Sequence, residues 1–310
     1  MKKYFFWALG ALVLYVLYLA VSLYLMPPVT QLRDRKTNLS IQVKDWHGHY
    51  HPMVVGPANR YWTPLASIPA EMKWAVILAE DSGFYRHEGI DVKAIKNAIK
   101  YDLEKKSFAR GASTITQQVA KNLFLSREKT LTRKAKELYL AKRMEQELTK
   151  GRIIELYLNV IELGPMIHGV GHGARYYFGK TAANLSPREC AFLAAMLPGP
   201  RLAYNPYKNL GKVLKRSNMI LRLLASKGVL SPEEYRLALA EIPNVGRMQK
   251  KVDESIKRVE VMANMSSARP ALPAEKAEPE SDQQPQTAPE PVPVQPPPSA
   301  AAEPPASGDK

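Results

Sequence analysis

The sequence predicts a mainly α-helical protein with one N-terminal transmembrane helix and a disordered, proline-rich C-terminal tail. Three observations carry this expectation. Residues Tyr4 to Met26 form an uncharged apolar run. From Ile68 onward, apolar residues recur at helical spacing. From Ser266 to Lys310 there is no aromatic residue, and 12 of the chain's 25 prolines lie there.

The apolar run, YFFWALGALVLYVLYLAVSLYLM, rises about 1.5 Å per residue as a helix and so spans a hydrocarbon core of roughly 30 Å. A cleaved signal peptide is the competing reading, but its apolar region is only about 7–15 residues long. The one small-residue candidate for cleavage, Ala20-Val21-Ser22, sits inside the run. An uncleaved anchor over residues 1–27 is therefore expected. Lys2 and Lys3 precede the run while Arg33, Arg35 and Lys36 follow it, so charge bias alone does not orient it.

One folded region is expected over residues 38–248. Its first part, 38–66, reads as extended, with Gly and Pro breaks. His47, His49 and His51 alternate there, which on a strand would put them on one face. With no carboxylate or cysteine ligand read beside them, an exposed incidental trio is favoured over a metal site. A helix is expected over Pro69–Ala79. Val92, Ile95, Ile99 and Leu103 form a stripe ringed by Lys93, Lys96, Lys100, Lys105 and Lys106. That basic amphipathic segment fits either a core-facing helix or one lying on an anionic membrane. Ser186-Pro187-Arg188-Glu189 is a capping box that opens a helix ending at Leu197-Pro198. Few segments alternate strand and helix, which does not fit a doubly wound sheet.

Lys plus Arg number 44 against 29 Asp plus Glu, a net charge of +15. Such an excess fits an anionic partner, whether nucleic acid, anionic lipid or a phosphorylated substrate, and equally a basic solvated surface. The single cysteine, Cys190, excludes an intrachain disulfide and a thiolate metal cluster, and its apolar surroundings point to burial. The tail over 266–310 has too little apolar surface to offset its ordering entropy. It serves as a spacer, a docking segment or a solvated end.

Five polar clusters follow one another. The first, Glu80-Asp81-Ser82-Gly83-Phe84-Tyr85-Arg86-His87-Glu88-Gly89, places two carboxylates at a helix end, where burial and mutual charge prepare an acid or base. The second, GASTITQQVAKN over 111–122, leads hydroxyls into a helix start with Lys121 farther along, which suits a phosphate or sugar. In the third, KTLTRKAKE over 129–137, Arg133 and Glu137 share a helix face, and Lys134 lies three residues before Glu137. The fourth is KGRIIELYLN over 150–159 and the fifth ARYYFGK over 174–180. Alone, the first cluster reads more readily as structural, the unusual STITQQ composition of the second is harder to attribute to chance, and the third reads as solvated ion pairs unless Leu140 and Met144 on the same face bury it. Gly173 lies one residue too far from Gly179-Lys180-Thr181 for a phosphate-binding loop. Ser126-Arg-Glu-Lys129 has no transpeptidase partner motif.

In order and spacing the five clusters resemble the five motifs of glycosyltransferase family 51, the peptidoglycan glycosyltransferases. With one anchor and no transpeptidase the chain is similar to the monofunctional members. The resemblance covers about residues 65–210. It implies a lysozyme-like, two-lobed glycosyltransferase domain whose membrane-proximal lobe, about 92–108 here, holds a lipid substrate. It implies polymerisation of lipid II into linear β-1,4 glycan strands with inversion and release of undecaprenyl pyrophosphate. Glu80 matches the general base, and Glu137 the second glutamate, which assists departure directly or through a cation. Lys121, Lys129, Arg133 and Lys136 match or neighbour positions around the pyrophosphate, and Asp81, Ser113, Gln117 and Gln118 match positions that shape the cleft.

No cofactor follows from the resemblance beyond an optional divalent cation, Mg2+ or Mn2+, and no resident metal is expected. Lipid II, the growing glycan strand, membrane lipid and other cell-wall synthesis and division proteins are the implied partners, and nucleic acid is not one. The implied setting is a single-pass inner-membrane protein with a cytoplasmic N-terminus and a periplasmic catalytic domain. Met166 stands where the family often has glycine, and Gly171-His172-Gly173 where a glutamate and two alanines are typical. His168 and His172 are then four apart, a weak candidate metal pair. Two alternatives remain: a lysozyme-like glycan-cleaving enzyme, and a non-catalytic cell-wall scaffold that recruits partners through its tail.

Overall fold

The computed structural model describes residues 2–45, 47–105, 112–126, 128 and 130–245. Lys129, residues 246–248 and the 266–310 segment lie outside the described residues. The N-terminal run is α1 (Lys2–Tyr24). The stretch Lys3–Leu32 is long and apolar enough to cross a membrane.

The extended stretch is an antiparallel hairpin of β1 (Leu39–Lys44) and β2 (Tyr50–Val55), pairing Ile41 with Met53. Ile41 and Val43 are buried while Ser40 and Gln42 are exposed, so one face of β1 packs on the core. The histidines correct the expectation. His47 and His49 lie in the turn and only His51 in β2, so they share no strand face. A carboxylate also stands among them: Asp45 Oδ2 is 3.0 Å from His51 Nε2 and 3.6 Å from His49 Nδ1. The hydrogen bond from His51, together with the amides of His49, Gly48 and His47, holds the Asp45 carboxyl well below the usual range.

Helices follow: α2 (Ala70–Glu80), α3 (Val92–Lys105), α4 (Ile115–Phe124), α5 (Leu131–Glu147) and α6 (Lys150–Val160). Thr114, Thr130 and Thr149 open α4, α5 and α6, each hydroxyl accepting from the amide three residues on. Such caps satisfy one of the orphan donors of a first turn. A short antiparallel pair, β3 (Glu162–Gly164) and β4 (Ile167–His168), precedes α7 (Val170–Phe178). Met166, in the turn between them, has φ +61°. That left-handed conformation is natural to glycine and explains why a methionine there is a departure.

The expected capping box opens α8 (Pro187–Met196) and is followed by α9 (Pro206–Ser226) and α10 (Pro232–Ala240). Every residue of α8 from Arg188 to Met196 is buried, as α2, α7, α9 and α10 pack around it. A helix with no solvent face has to be apolar all round, and CAFLAAM is. Cys190 is fully buried there.

The segment after α1 is clamped to the helices. Arg152 donates from Nε to the carbonyl of Leu32 at 2.8 Å and pairs with Glu155 at 2.7 Å. Glu155 also accepts from the Leu65 amide at 2.9 Å. Arg33 pairs with Glu147. Tyr15 of α1 and Thr132 of α5 share a hydrogen bond of 3.1 Å.

Candidate active site

Helix α2 runs its apolar face, Met72, Ala75, Val76 and Ile77, into the core and ends on Glu80. A carboxylate at a helix C-terminus sits at the negative end of the macrodipole. Glu80 is moreover mostly buried, with 15% of its side chain exposed. Burial pushes its carboxyl up from the usual value and neighbouring Asp81 adds to the rise, while the Gln118 hydrogen bond, Arg216 and Lys121 oppose it. Gln118 Nε2 donates to Glu80 Oε2 at 3.1 Å. Arg216 Nη2 lies 3.6 Å from Oε1. Buried Tyr157 of α6 donates its hydroxyl to Gln118 Oε1 at 3.3 Å.

Asp81 has a different place. It is buried, both its oxygens lie 3.0 Å from His87 Nε2, and Oδ2 accepts the Ile115 amide at 2.9 Å. It ties the loop after α2 to the start of α4 and does not line the cleft. Asp91 lies close to Asp81 and His87, and it caps α3 through the Ala94 amide at 2.8 Å.

On α5, Glu137 is buried, with its Oε2 held by Arg133 Nη1 at 2.5 Å and its Oε1 by Lys134. Lys134 Nζ also donates to Ser113 Oγ and Gln117 Oε1, both at 3.2 Å. Both Glu137 oxygens are thus turned to cations, and that donor set does not fit a divalent metal. Leu140 and Met144 bury the same side of the helix. Lys136, expected at the pyrophosphate, makes no side-chain bond among the described residues, and Lys134 takes the place beside Glu137.

A cleft of about 420 Å³ joins the two groups. Gln118, Lys121 and Arg133 line it with Tyr157, facing Gln42 of β1 and His168 of β4. Neither glutamate lines it directly; their hydrogen-bond partners do. Adjacent glutamines on α4 make the connection, Gln118 to Glu80 and Gln117 through Lys134 to Glu137. The arrangement offers a proton acceptor at one end and clustered cations at the other.

Three contributors escaped the sequence reading of the site. Lys134 was visible by its spacing from Glu137, and Tyr157 lay within the fourth cluster. Arg216 had no local signal at all. His168 and His172 do not share a helix face, since His168 is in β4 and the His172 ring stacks on Tyr61, centroids 4.1 Å apart and planes at 5°.

Residues 49–225 match the family model described as Transglycosylase. A biosynthetic peptidoglycan transglycosylase of Nitrosomonas europaea is 48% identical over 167 residues, 54% of this chain and 68% of that protein. Penicillin-binding protein 1A of Escherichia coli is 39% identical over 236 residues, 76% of this chain, and the chain spans 27% of that relative's length. The crystal structure of penicillin-binding protein 1A from Haemophilus influenzae aligns over 74% of this chain and 25% of its own, at 22% identity and a TM-score of 0.36. The family match covers more than half of the sequence, and with it the helices that carry Glu80, Gln118 and Glu137: the chain belongs to the transglycosylase family.

Proposed function

We propose that the protein is a membrane-anchored peptidoglycan glycosyltransferase that polymerises lipid II. The observation that carries this reading is one cleft lined by Gln118, which bonds a buried, proton-seeking Glu80, and by Arg133, which pairs with Glu137. Glu80 takes the proton of the 4-hydroxyl on the acceptor N-acetylglucosamine. The freed oxygen forms a bond to C1 of the donor N-acetylmuramic acid as the bond from C1 to the pyrophosphate oxygen breaks, so C1 inverts. Negative charge grows on the diphosphate. Lys121, Arg133 and Lys134 are fixed cations, in place to stabilise that charge as it develops. Glu137 holds Arg133 and Lys134 in register, and Lys129 belongs to the same role by its motif position. Residues 38–248 would form the catalytic domain.

Membrane lipid fits as the surrounding medium. Helix α3 leaves Val92 and Ile99 exposed beside Lys93, Lys96 and Lys100, and α5 opens on exposed Leu131. An N-terminus on the cytoplasmic side and the cleft on the outer face of the inner membrane follow from a lipid-linked substrate used for wall synthesis. The test is polymerisation of lipid-linked disaccharide by the purified full chain, with Glu80→Gln beside it. Glycan strands from the wild type and none from the variant, at unchanged circular dichroism, are expected. Cleavage of finished glycan, with no polymer from the lipid substrate, would move the protein to the hydrolase reading.

A further inference from the structure

We propose that Arg216 of α9 is a positioning residue for Glu80, gripping one carboxylate oxygen while Gln118 grips the other. The inference rests on Glu80 being the base. Helix α2 has no basic residue in its last turn, so the negative end of its dipole and the Glu80 carboxylate find no cation on their own element. The cation comes from a helix far along the chain. Arg216 Nη2 lies 3.6 Å from Glu80 Oε1 and donates to the carbonyl of Ala79 at 3.4 Å. One guanidinium therefore touches both the base and the last turn that carries it.

Arg216 is itself fixed. Its guanidinium carbon lies 5.6 Å from the Tyr204 ring centroid, and Lys212 sits over the same ring at 4.7 Å. Val213, Ser217 and Ile220 are buried around it on α9, which packs against α2 and α8. The side chain retains only 21% exposure.

The groups facing Glu80 are few: Asp81 from its own segment, Gln118 and Lys121 from α4, Tyr157 from α6, and Arg216 from α9. Of these, Gln118 and Arg216 are the two placed on opposite carboxylate oxygens. Held at both, the carboxylate keeps one orientation, with its remaining lone pairs for the acceptor hydroxyl. The guanidinium takes no proton in the step. It favours the ionised base before transfer, and a single nitrogen, Nη2, serves both the Ala79 carbonyl and Glu80 Oε1, a position that the ammonium of a lysine, one bond shorter, falls short of.

The experiment uses the full chain in detergent micelles with lipid-linked disaccharide as substrate. Wild type, Arg216→Gln and Arg216→Lys are compared by the pH profile of kcat/KM. In Arg216→Gln the acid limb moves to higher pH. A displacement of about one unit is about a tenfold loss on that limb, narrowing towards alkaline pH. Arg216→Lys keeps the limb near its wild-type position but loses kcat. An unchanged limb in Arg216→Gln, whatever the total loss, overturns the inference, because a merely structural role lowers activity at every pH alike. Should Arg216→Gln not fold, wild-type kcat and limb in Arg216→Lys would overturn it. A second measurement is independent of turnover. Infrared difference spectra against Glu80→Gln follow the Glu80 carboxyl band, which is expected to titrate at higher pH in Arg216→Gln and overturns the inference if it does not. A wild type that makes no polymer would refute the function, while the infrared titration still reports on the Arg216–Glu80 contact.

Discussion

The Tyr157 hydroxyl donates to Oε1 of Gln118, and this bond decides which way the Gln118 amide faces, since the other end must then offer Nε2 to Glu80. Burial pushes the Tyr157 phenol well above its usual value, with the charges of Glu80 and Asp81 adding to the rise, so it remains a donor throughout the working range. Tyr157→Phe removes the orienting donor and keeps the ring packing. The expected result is a fall in kcat of about tenfold with little change in KM, and a stability loss of about 1 kcal/mol. Steady-state polymerisation and urea unfolding measure the two.

Glu80 makes function and stability pull in opposite directions. Its carboxyl is raised in the folded state, so its favourable contribution is present below the unfolded value and is lost as pH rises through the folded one. In the proposed mechanism activity needs the ionised form and rises over that same interval. Glu80→Gln should therefore lose polymerisation yet melt at a higher temperature than wild type near neutral pH, with the difference shrinking on acidification. Thermal melts at several pH values check the sign, and a variant less stable at neutral pH contradicts it.

Lys134 and Lys136 are two residues apart and have opposite environments. Lys134 bonds Glu137, Ser113 and Gln117, whereas Lys136 bonds none of the described side chains. Lys134→Met leaves buried Glu137 with Arg133 alone and is expected to cost about 1–2 kcal/mol, since the ammonium is partly solvated, together with most of kcat/KM. Lys136→Met should change stability by less than about 0.5 kcal/mol. Equal effects in parallel assays would show that the Lys134 contacts do not matter.

Gly171 looks like a weak helix residue, and by propensity alanine would gain about 1 kcal/mol there. The packing reverses that expectation. A Cβ on Gly171 would lie 2.3 Å from the backbone oxygen of Tyr61 and 2.5 Å from Thr63 Oγ1. Gly171→Ala must push α7 off the 61–63 segment and is expected to destabilise by about 1–3 kcal/mol. At Gly173 the nearest atom, 2.5 Å away, is the end of the Leu163 side chain, which can move. Gly173→Ala is therefore the milder change, and denaturant midpoints of the pair rank them.

Much of this was legible along the chain, and for identifiable reasons. The hydropathy of residues 4–26, the Ser186 capping box, the hydroxyls before α4 and the 3.6-residue spacings are local features, and they placed α1, α2, α4, α5 and α8 correctly. Glu137 and Arg133 were paired by helical spacing alone. The histidine trio is exposed as expected but shares no strand face, because a turn carries His47 and His49, and Asp45 stands beside it. Lys134, not Lys136, is the lysine that bonds Glu137.

By itself the sequence determined several helices, α2, α4, α5 and α8 among them, the anchor-length apolar run and the order of the five clusters, since short-range propensity, periodicity and motif spacing are written in neighbouring residues. Only the tertiary structure decided that Arg216 meets Glu80, that Tyr157 orients Gln118, and that Gly171 must stay small against Tyr61. Those relations arise where α9, α6 and α7 pack against distant segments. Which atoms meet across such contacts depends on how whole helices fill the core, and no local pattern encodes that.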